Sequence, residues 1–223
     1  MTLTINQVNE LEDAIRSYQF PCVYYDFEKS VGVVVRNMNI VENYIGTLLR
    51  SNNYIEVKNG LSNVLYWGYA KIGYGDVRVN KFKDNVTEDM IDIFINLVRS
   101  FGVPSMIQVK NIKMPEYSGV SFVSKILMFL CPEKYCVLDQ QLAKLRMYGS
   151  EKALNALVFG DGATTIRITR NNEEVYGRWI KECAYISENY YCGTHRVVDI
   201  ERGFFNIIQQ GNLLNAQLIY NSV

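Results

Sequence analysis

The chain has 223 residues, of which 48% are apolar and 21% are charged, a composition typical of a soluble globular protein. Lysine and arginine together number 23, as do aspartate and glutamate, so the net charge gives no argument for a strong non-specific binder of nucleic acid. A chain of this length buries roughly 70% of its unfolded surface and needs no disulfide or metal to fold.

The five cysteines are irregularly spaced, which predicts reduced thiols and a cytoplasmic protein. The first fifteen residues carry acids and no apolar run, so they do not predict a signal peptide. No apolar run approaches the ~18 residues of a membrane span. The single histidine, His195, has no cysteine spacing around it that fits a zinc site. The sequence therefore predicts no membrane contact, no metal and no other cofactor.

Apolar residues recur at helical spacing through the first half of the chain. Residues 5–18, 37–50 and 61–72 each place apolar side chains on one face, which predicts three helices. Thr87 is suited to cap a fourth helix, because its hydroxyl can accept from free amide groups and Glu88 complements the helix dipole.

The next predicted elements surround a proline. Residues 121–131 predict a helix that Pro132 ends. Asp139 is suited to cap a short helix over residues 140–147.

The last part of the chain predicts one turn and two helices. Asp161 and Gly162, within residues 155–169, favour a tight β-hairpin turn, although a helix end followed by one strand is an alternative. Residues 173–189 predict a long helix, and Asp199 is suited to cap the helix that follows.

Together the elements predict a mainly α-helical fold with one small β-hairpin near residues 155–169. The chain has no repeat or linker, so we expect a single globular unit over residues 1–223. Within it, helical lobes of residues 1–104 and 105–223 are expected to meet at a cleft near residues 119–145.

Positive charge is concentrated in two segments. Residues 71–83 and residues 110–146 each carry an excess of basic over acidic side chains. One interpretation is a single basic face, and the alternative is a set of scattered, solvated lysines.

The segment "SFVSKILMFLCPEKYCVLDQQLAKL", residues 121–145, places Lys125 inside an apolar run and Asp139 at the end of another. A lysine withdrawn from water can supply a neutral amine as a nucleophile. A nearby carboxylate can stabilise positive charge on a sugar while a glycosidic bond breaks. The alternative is simpler: Lys125 extends its stem along a helix surface and Asp139 only caps a helix.

Three segments, "SKILMFLCPEKYCVLD", "YWGYAKIGYGDVRV" and "RVVDIERGFF", resemble proteins with an 8-oxoguanine DNA glycosylase-like fold, in the helix-hairpin-helix DNA glycosylase superfamily. The resemblance implies a two-lobed helical fold, with Lys125 as nucleophile and Asp139 as the catalytic carboxylate. The sequence departs from the active enzymes in its hairpin, which is reduced to "YSGV", and in its shorter interval between Lys125 and Asp139.

The resemblance also implies DNA as a partner. Aromatic rings beside a lysine, as in "YWGYAKIGYG", can stack a base and hold a phosphate, although the same spacing also suits a packing stripe. The candidate nucleic-acid-binding residues are Trp67, Tyr69, Lys71, Gly119, Ser121, Ser124 and Arg196.

The leading hypothesis is a DNA glycosylase or lyase that extrudes a base into a cleft holding Lys125 and Asp139. The alternative is a non-catalytic module that uses the same cleft to bind nucleic acid, a nucleotide or a protein. The sequence does not indicate the oligomeric state.

Overall fold

The computed structural model describes residues 2–160 and 165–223. Within these ranges the chain forms ten α-helices, two short 3₁₀ helices and one two-stranded antiparallel sheet. The mainly α-helical class with one small hairpin, which the sequence predicts, is confirmed. None of the helices in the described ranges combines the length and the apolar character needed to cross a membrane.

The chain divides into two compact units. Unit 1 comprises Met1–Gln19 and Pro132–Val223, and unit 2 comprises Phe20–Cys131. The predicted boundary between lobes, at residues 104 and 105, lies inside unit 2. Lys125 therefore belongs to unit 2 and Asp139 to unit 1.

Unit 1 is built around one buried helix. Its elements are α1 (Ile5–Arg16), two 3₁₀ helices (Leu142–Leu145 and Ala153–Ala156), α8 (Arg170–Tyr191), α9 (Val197–Gln209) and α10 (Leu213–Ser222). Helices α1, α8 and α10 all pack on α9. Asn206 of α9 is buried and donates through Nδ2 to the Ala14 carbonyl at 2.9 Å, which joins the first helix of the chain to this core.

Unit 2 is a helical array with the hairpin at one side. Its elements are β1 (Val23–Asp26), β2 (Val31–Val34), α2 (Met38–Leu49), α3 (Tyr54–Gly68), α4 (Gly75–Asn85), α5 (Glu88–Phe101), α6 (Met106–Asn111) and α7 (Val120–Leu130). Helix α3 lies at the centre and contacts β1, α2, α4, α5 and α7. Buried Asn63 of α3 fixes the hairpin, because its side-chain amide exchanges hydrogen bonds with the backbone N–H and carbonyl of Tyr25 at 2.6 and 3.0 Å.

Helix α7, which carries Lys125, is closely fitted against α2. A Cβ atom added at Gly46 of α2 would lie 2.6 Å from the Phe129 carbonyl oxygen, closer than side chains approach. Arg50, just after α2, donates to the Leu130 carbonyl at 2.7 Å and so satisfies the end of α7. The absence of a side chain at position 46 thus allows α2 and α7 to approach.

The two-stranded sheet of the described residues lies near the start of the chain. β1 and β2 pair antiparallel at residues 23–34, whereas residues 153–156 form a 3₁₀ helix. The turn at 27–30 uses Asp26, whose Oδ1 accepts from the amides of Glu28 and Lys29, and Ser30 in a left-handed conformation (φ 53°). This turn has no Asn-Gly or Asp-Gly pair, so its sequence signal is weak. Asp161 and Gly162 lie outside the described residues.

Two predicted elements need correction. Helix α3 begins at Tyr54, where Asn53 caps it, rather than at residue 61, and it ends at Gly68. The predicted helix over residues 140–147 is only the 3₁₀ helix Leu142–Leu145. The predicted cap at Thr87 does form, because its hydroxyl accepts from the Met90 amide at 3.3 Å.

Candidate functional site

Lys125 is buried in unit 2, with 6% of its surface exposed. Its amine donates to the Ser121 carbonyl at 3.2 Å and contacts the Ser121 hydroxyl oxygen at 3.0 Å. The same nitrogen lies 4.9 Å from the centre of the Phe122 ring. Both neighbours are on the preceding turn of α7, so the local helix determines where the amine lies.

A row of alternating cations and rings continues from this lysine. The centre of the Phe122 ring lies 4.7 Å from the centre of the Tyr69 ring. The guanidinium carbon of Arg78 lies 5.6 Å from the centre of the Tyr69 ring. We call Lys125, Phe122, Tyr69 and Arg78 the cation–aromatic row. It brings together residues from α7, the end of α3 and α4.

Gly68 makes room for this row. A Cβ atom at that position would lie 2.6 Å from Cε1 of Phe122 and 3.3 Å from Cδ of Lys125. Any larger residue would therefore displace the ring or the lysine stem.

Glu116 forms an ion pair with Arg78, the last residue of the row. Its carboxylate, of which 6% is exposed, accepts from Arg78 Nη1 at 3.0 Å and lies 2.7 Å from Lys81 Nζ. Glu116 has a φ of 69°, a left-handed conformation that costs free energy in a non-glycine residue. Two cations share one carboxylate here, so the row ends with an excess of positive charge.

Tyr69 stays a neutral phenol within the row. Burial raises the pKa of Tyr69, and the Arg78 guanidinium opposes that shift. The hydroxyl makes no hydrogen bond with the described residues, so it can donate to or accept from a ligand.

The other sequence-predicted residues of unit 2 differ in their exposure. Trp67 is buried between Phe20 and Phe129, at ring distances of 4.8 and 5.0 Å, so it has no exposed face for a base. Lys71 is exposed, and its amine lies 5.7 Å from the centre of the Phe20 ring. Trp67 therefore belongs to the core, whereas Lys71 is on the surface.

The predicted residues at the start of α7 are mostly buried. Gly119 precedes the helix and is buried, without a side chain to cap the free amides. Buried Ser124 donates to the Ser121 carbonyl at 3.0 Å. Ser121 is partly exposed, so it is the member of this group that a ligand can reach most readily.

Asp139 lies in unit 1 and begins a short 3₁₀ helix. Its Oδ1 accepts from the amides of Gln141 and Leu142 at 2.9 and 3.1 Å, as expected for a cap. Among the described residues its Oδ2 has no hydrogen-bond partner. One oxygen of this carboxylate thus has a structural role, and the other makes no hydrogen bond among the described residues.

Arg196, also in unit 1, is engaged by carboxylates. Its guanidinium donates to both oxygens of Asp199 at 2.8 and 2.9 Å and lies 3.9 Å from Glu133. Burial raises the pKa of Asp199, but hydrogen bonds from Arg196 and the charges of Arg196 and Arg202 outweigh that effect, so the net pKa is below its ordinary value. The Arg196 charge is therefore largely neutralised by Asp199 at the start of α9.

Comparison of the chain with models of protein families, with curated proteins and with solved structures finds no match. The resemblance to helix-hairpin-helix DNA glycosylases therefore stays a prediction, as does the cleft shared by Lys125 and Asp139.

Sequence reasoning missed three members of this site, namely Phe122, Arg78 and Glu116. A partial signal existed for Arg78, because it lies in the basic segment 71–83. No signal existed for Glu116, because its partners lie about forty residues earlier in the chain and only folding brings them together.

Proposed function

We propose that this protein acts on DNA as a glycosylase or lyase, with Lys125 as the nucleophile and Asp139 as the assisting carboxylate. The observation that carries the proposal is the cation–aromatic row around Lys125. Rings that can stack a base and cations that can attract phosphate alternate along it, which is the combination that single-stranded or extruded nucleotides require.

The chemistry follows from an amine in a partly apolar site. The nitrogen of Lys125 would attack C1′ of the sugar and form a C–N bond, while the glycosidic bond breaks and its electron pair leaves with the base. The departing base takes a proton from water, and the attacking amine loses one. The resulting adduct rearranges to an imine, which water later hydrolyses.

Asp139 would stabilise the positive charge that develops on the sugar. Its unbonded Oδ2 supports this role, because the capping bonds involve only Oδ1. The proposal requires both side chains to act on the same sugar.

Covalent trapping tests the proposal. The protein is incubated with duplex DNA that contains an 8-oxoguanine or an abasic site, and borohydride is added to reduce any imine to a stable amine. We expect a cross-linked product with the wild-type protein, none with Lys125→Ala, and slower formation with Asp139→Asn.

Lys134→Ala is the matched control, because Lys134 is an exposed lysine of the same segment. This variant should trap as well as the wild type. A product that persists in a folded Lys125→Ala variant, or no product with the wild type, would contradict the proposal.

A second candidate is a non-catalytic nucleic-acid-binding module. It is favoured by the low exposure of Lys125 and by the two contacts that its amine already makes to Ser121. In that case no cross-link forms, and Lys125→Ala keeps a salt-dependent affinity for DNA.

A further inference from the structure

A pocket of about 250 Å³ adjoins the cation–aromatic row in unit 2. It opens between the start of the hairpin and the connection from α3 to α4. Its lining includes Pro21, Val23, Tyr66, Tyr69 and Asp76. Tyr69 is shared with the row, so the pocket and the row form adjacent parts of one surface.

Neighbouring residues hold the Tyr66 wall in place. The ring of Tyr25 meets Tyr66 edge-on at 5.5 Å. A Cβ atom added at Gly75 would lie 3.4 Å from the Tyr66 ring, and one added at Gly32 would lie 2.6 Å from the Tyr66 hydroxyl. Tyr66 is therefore closely packed by its neighbours, which limits the movement of its ring.

The connection from α3 to α4 brings a carboxylate to the same pocket. Gly73 has a φ of 72°, which lets the chain turn sharply, and Asp76 follows in the first turn of α4. The described residues supply no hydrogen bond or ion pair to Asp76 and no hydrogen bond to the Tyr66 hydroxyl. The pocket thus has in its lining a carboxylate that has no hydrogen-bond or ion-pair partner among the described residues.

The side chains beside the pocket carry positive charge, opposite in sign to that of Asp76. Arg78 lies over the Tyr69 ring at 5.6 Å. Lys71 lies 5.7 Å from the ring of Phe20, the residue that precedes Pro21 of the lining. A ligand with a hydrogen-bond donor at one end and a negative charge at the other would match this arrangement.

We propose that this pocket binds a nucleobase that bears an exocyclic amino group, with the amino group donating to Asp76. The base lies against the tyrosine walls, and its phosphate lies toward Lys71 and Arg78. Cytosine, adenine and guanine meet this description, whereas uracil and thymine present a carbonyl oxygen in place of the amino group. The inference rests on the proposed function, since it names the part of a nucleic acid that this surface recognises.

Calorimetric titration with CMP and UMP tests the inference. We expect CMP to bind roughly tenfold more tightly than UMP, because a carboxylate accepts from the cytosine amino group and repels the uracil carbonyl. Asp76→Asn should reduce that ratio to about one, since an amide can also donate to a carbonyl.

Asp84→Asn is the matched control, because Asp84 is an exposed acid of the same helix that does not line the pocket. It should keep the preference for CMP. Equal affinities, a preference for UMP, no binding of CMP, or a preference that survives Asp76→Asn would each overturn the inference.

Oligomers distinguish a strand from a free nucleotide as the source of the base. If oligo-dC binds more tightly than CMP with a steeper salt dependence, the pocket recognises a base within a strand. Equal affinities identify the free nucleotide as the ligand, and both results retain the base preference.

The two proposals can fail separately. A protein that is trapped on DNA through Lys125 but binds CMP and UMP equally loses only this inference. A protein that prefers CMP through Asp76 but forms no cross-link loses only the catalytic proposal.

Discussion

Lys125 in unit 2 and Arg196 in unit 1 are both cations that the sequence assigns to the functional site, and the two units hold them differently. Arg196 is bound by Asp199 and lies near Glu133, so its charge serves the start of α9. Lys125 lies on the Phe122 ring and against Ser121, next to further rings and cations. A basic residue near a motif can therefore be assigned to ligand binding only when its contacts within the protein are known.

Two helix glycines, one from each unit, also have different surroundings. Gly46 of α2 faces the backbone of α7, whereas Gly177 of α8 has no neighbouring atom within 4 Å of an added Cβ. The close packing of α2 on α7 therefore requires that residue 46 has no side chain, whereas residue 177 of α8 has room for one.

The largest effect is expected from Gly46→Ala. The new methyl group would meet the Phe129 carbonyl, a backbone atom that cannot rotate away, so we expect a loss of about 3 kcal/mol in the free energy of unfolding. Gly177→Ala should instead stabilise by about 0.5–1 kcal/mol, because alanine is favoured inside a helix and an added Cβ here meets no atom within 4 Å. Urea unfolding of the two variants measures the contrast, and equal effects would contradict it.

Arg196→Met should lower the free energy of unfolding by about 1.5 kcal/mol at pH 7, since two hydrogen bonds to a charged group are lost. The pKa of Asp199 is below its ordinary value in the folded protein, so Asp199 contributes stability above about pH 4. That contribution disappears as the pH falls through the folded pKa. The difference between wild type and variant should therefore shrink in acid.

Urea unfolding between pH 7 and pH 3 measures this difference. Arg170→Met is the control, because Arg170 and its partner Glu174 are both exposed and their ion pair is worth little. A difference between Arg196→Met and wild type that grows in acid would refute the assignment.

A smaller loss of stability is expected when the hydroxyl of one buried tyrosine in either unit is removed. Tyr117 donates to the Leu61 carbonyl at 2.5 Å in unit 2, and Tyr176 donates to the Cys136 carbonyl at 2.7 Å in unit 1. Each Tyr→Phe substitution should cost about 1 kcal/mol, because it leaves a buried carbonyl without this donor. Thermal unfolding of both variants tests the expectation, and an unchanged melting temperature in either would contradict it.

The smallest effect concerns DNA binding under the proposed function. Lys71→Ala should reduce the slope of log affinity against log salt by about one, as expected for the loss of one phosphate contact. Arg196→Gln should leave the slope unchanged, because that charge is already engaged by Asp199. Fluorescence anisotropy with labelled DNA at several salt concentrations measures the slope for both variants. A smaller slope for Arg196→Gln than for Lys71→Ala would contradict the prediction.

Local sequence signals were sufficient for the features that depend on a few neighbouring residues. Apolar spacing and capping side chains placed most of the helices, as at Thr87, because both signals lie within one or two helical turns. The sequence also led to Lys125, because a lysine inside an apolar run stands out locally.

Which side chains meet depends on how the helices pack. Tyr69 at the end of α3 meets Phe122 of α7, and Arg78 of α4 meets Glu116 before α7. No local pattern encodes contacts between residues so far apart in the chain. The β1–β2 hairpin has no such local signal either, since its turn depends on Asp26 and its strand β1 is bonded to Asn63 of α3. Trp67 and Lys71 differ in burial because Trp67 lies in α3 and packs in the core, whereas Lys71 lies in the exposed turn that follows the end of the helix at Gly68.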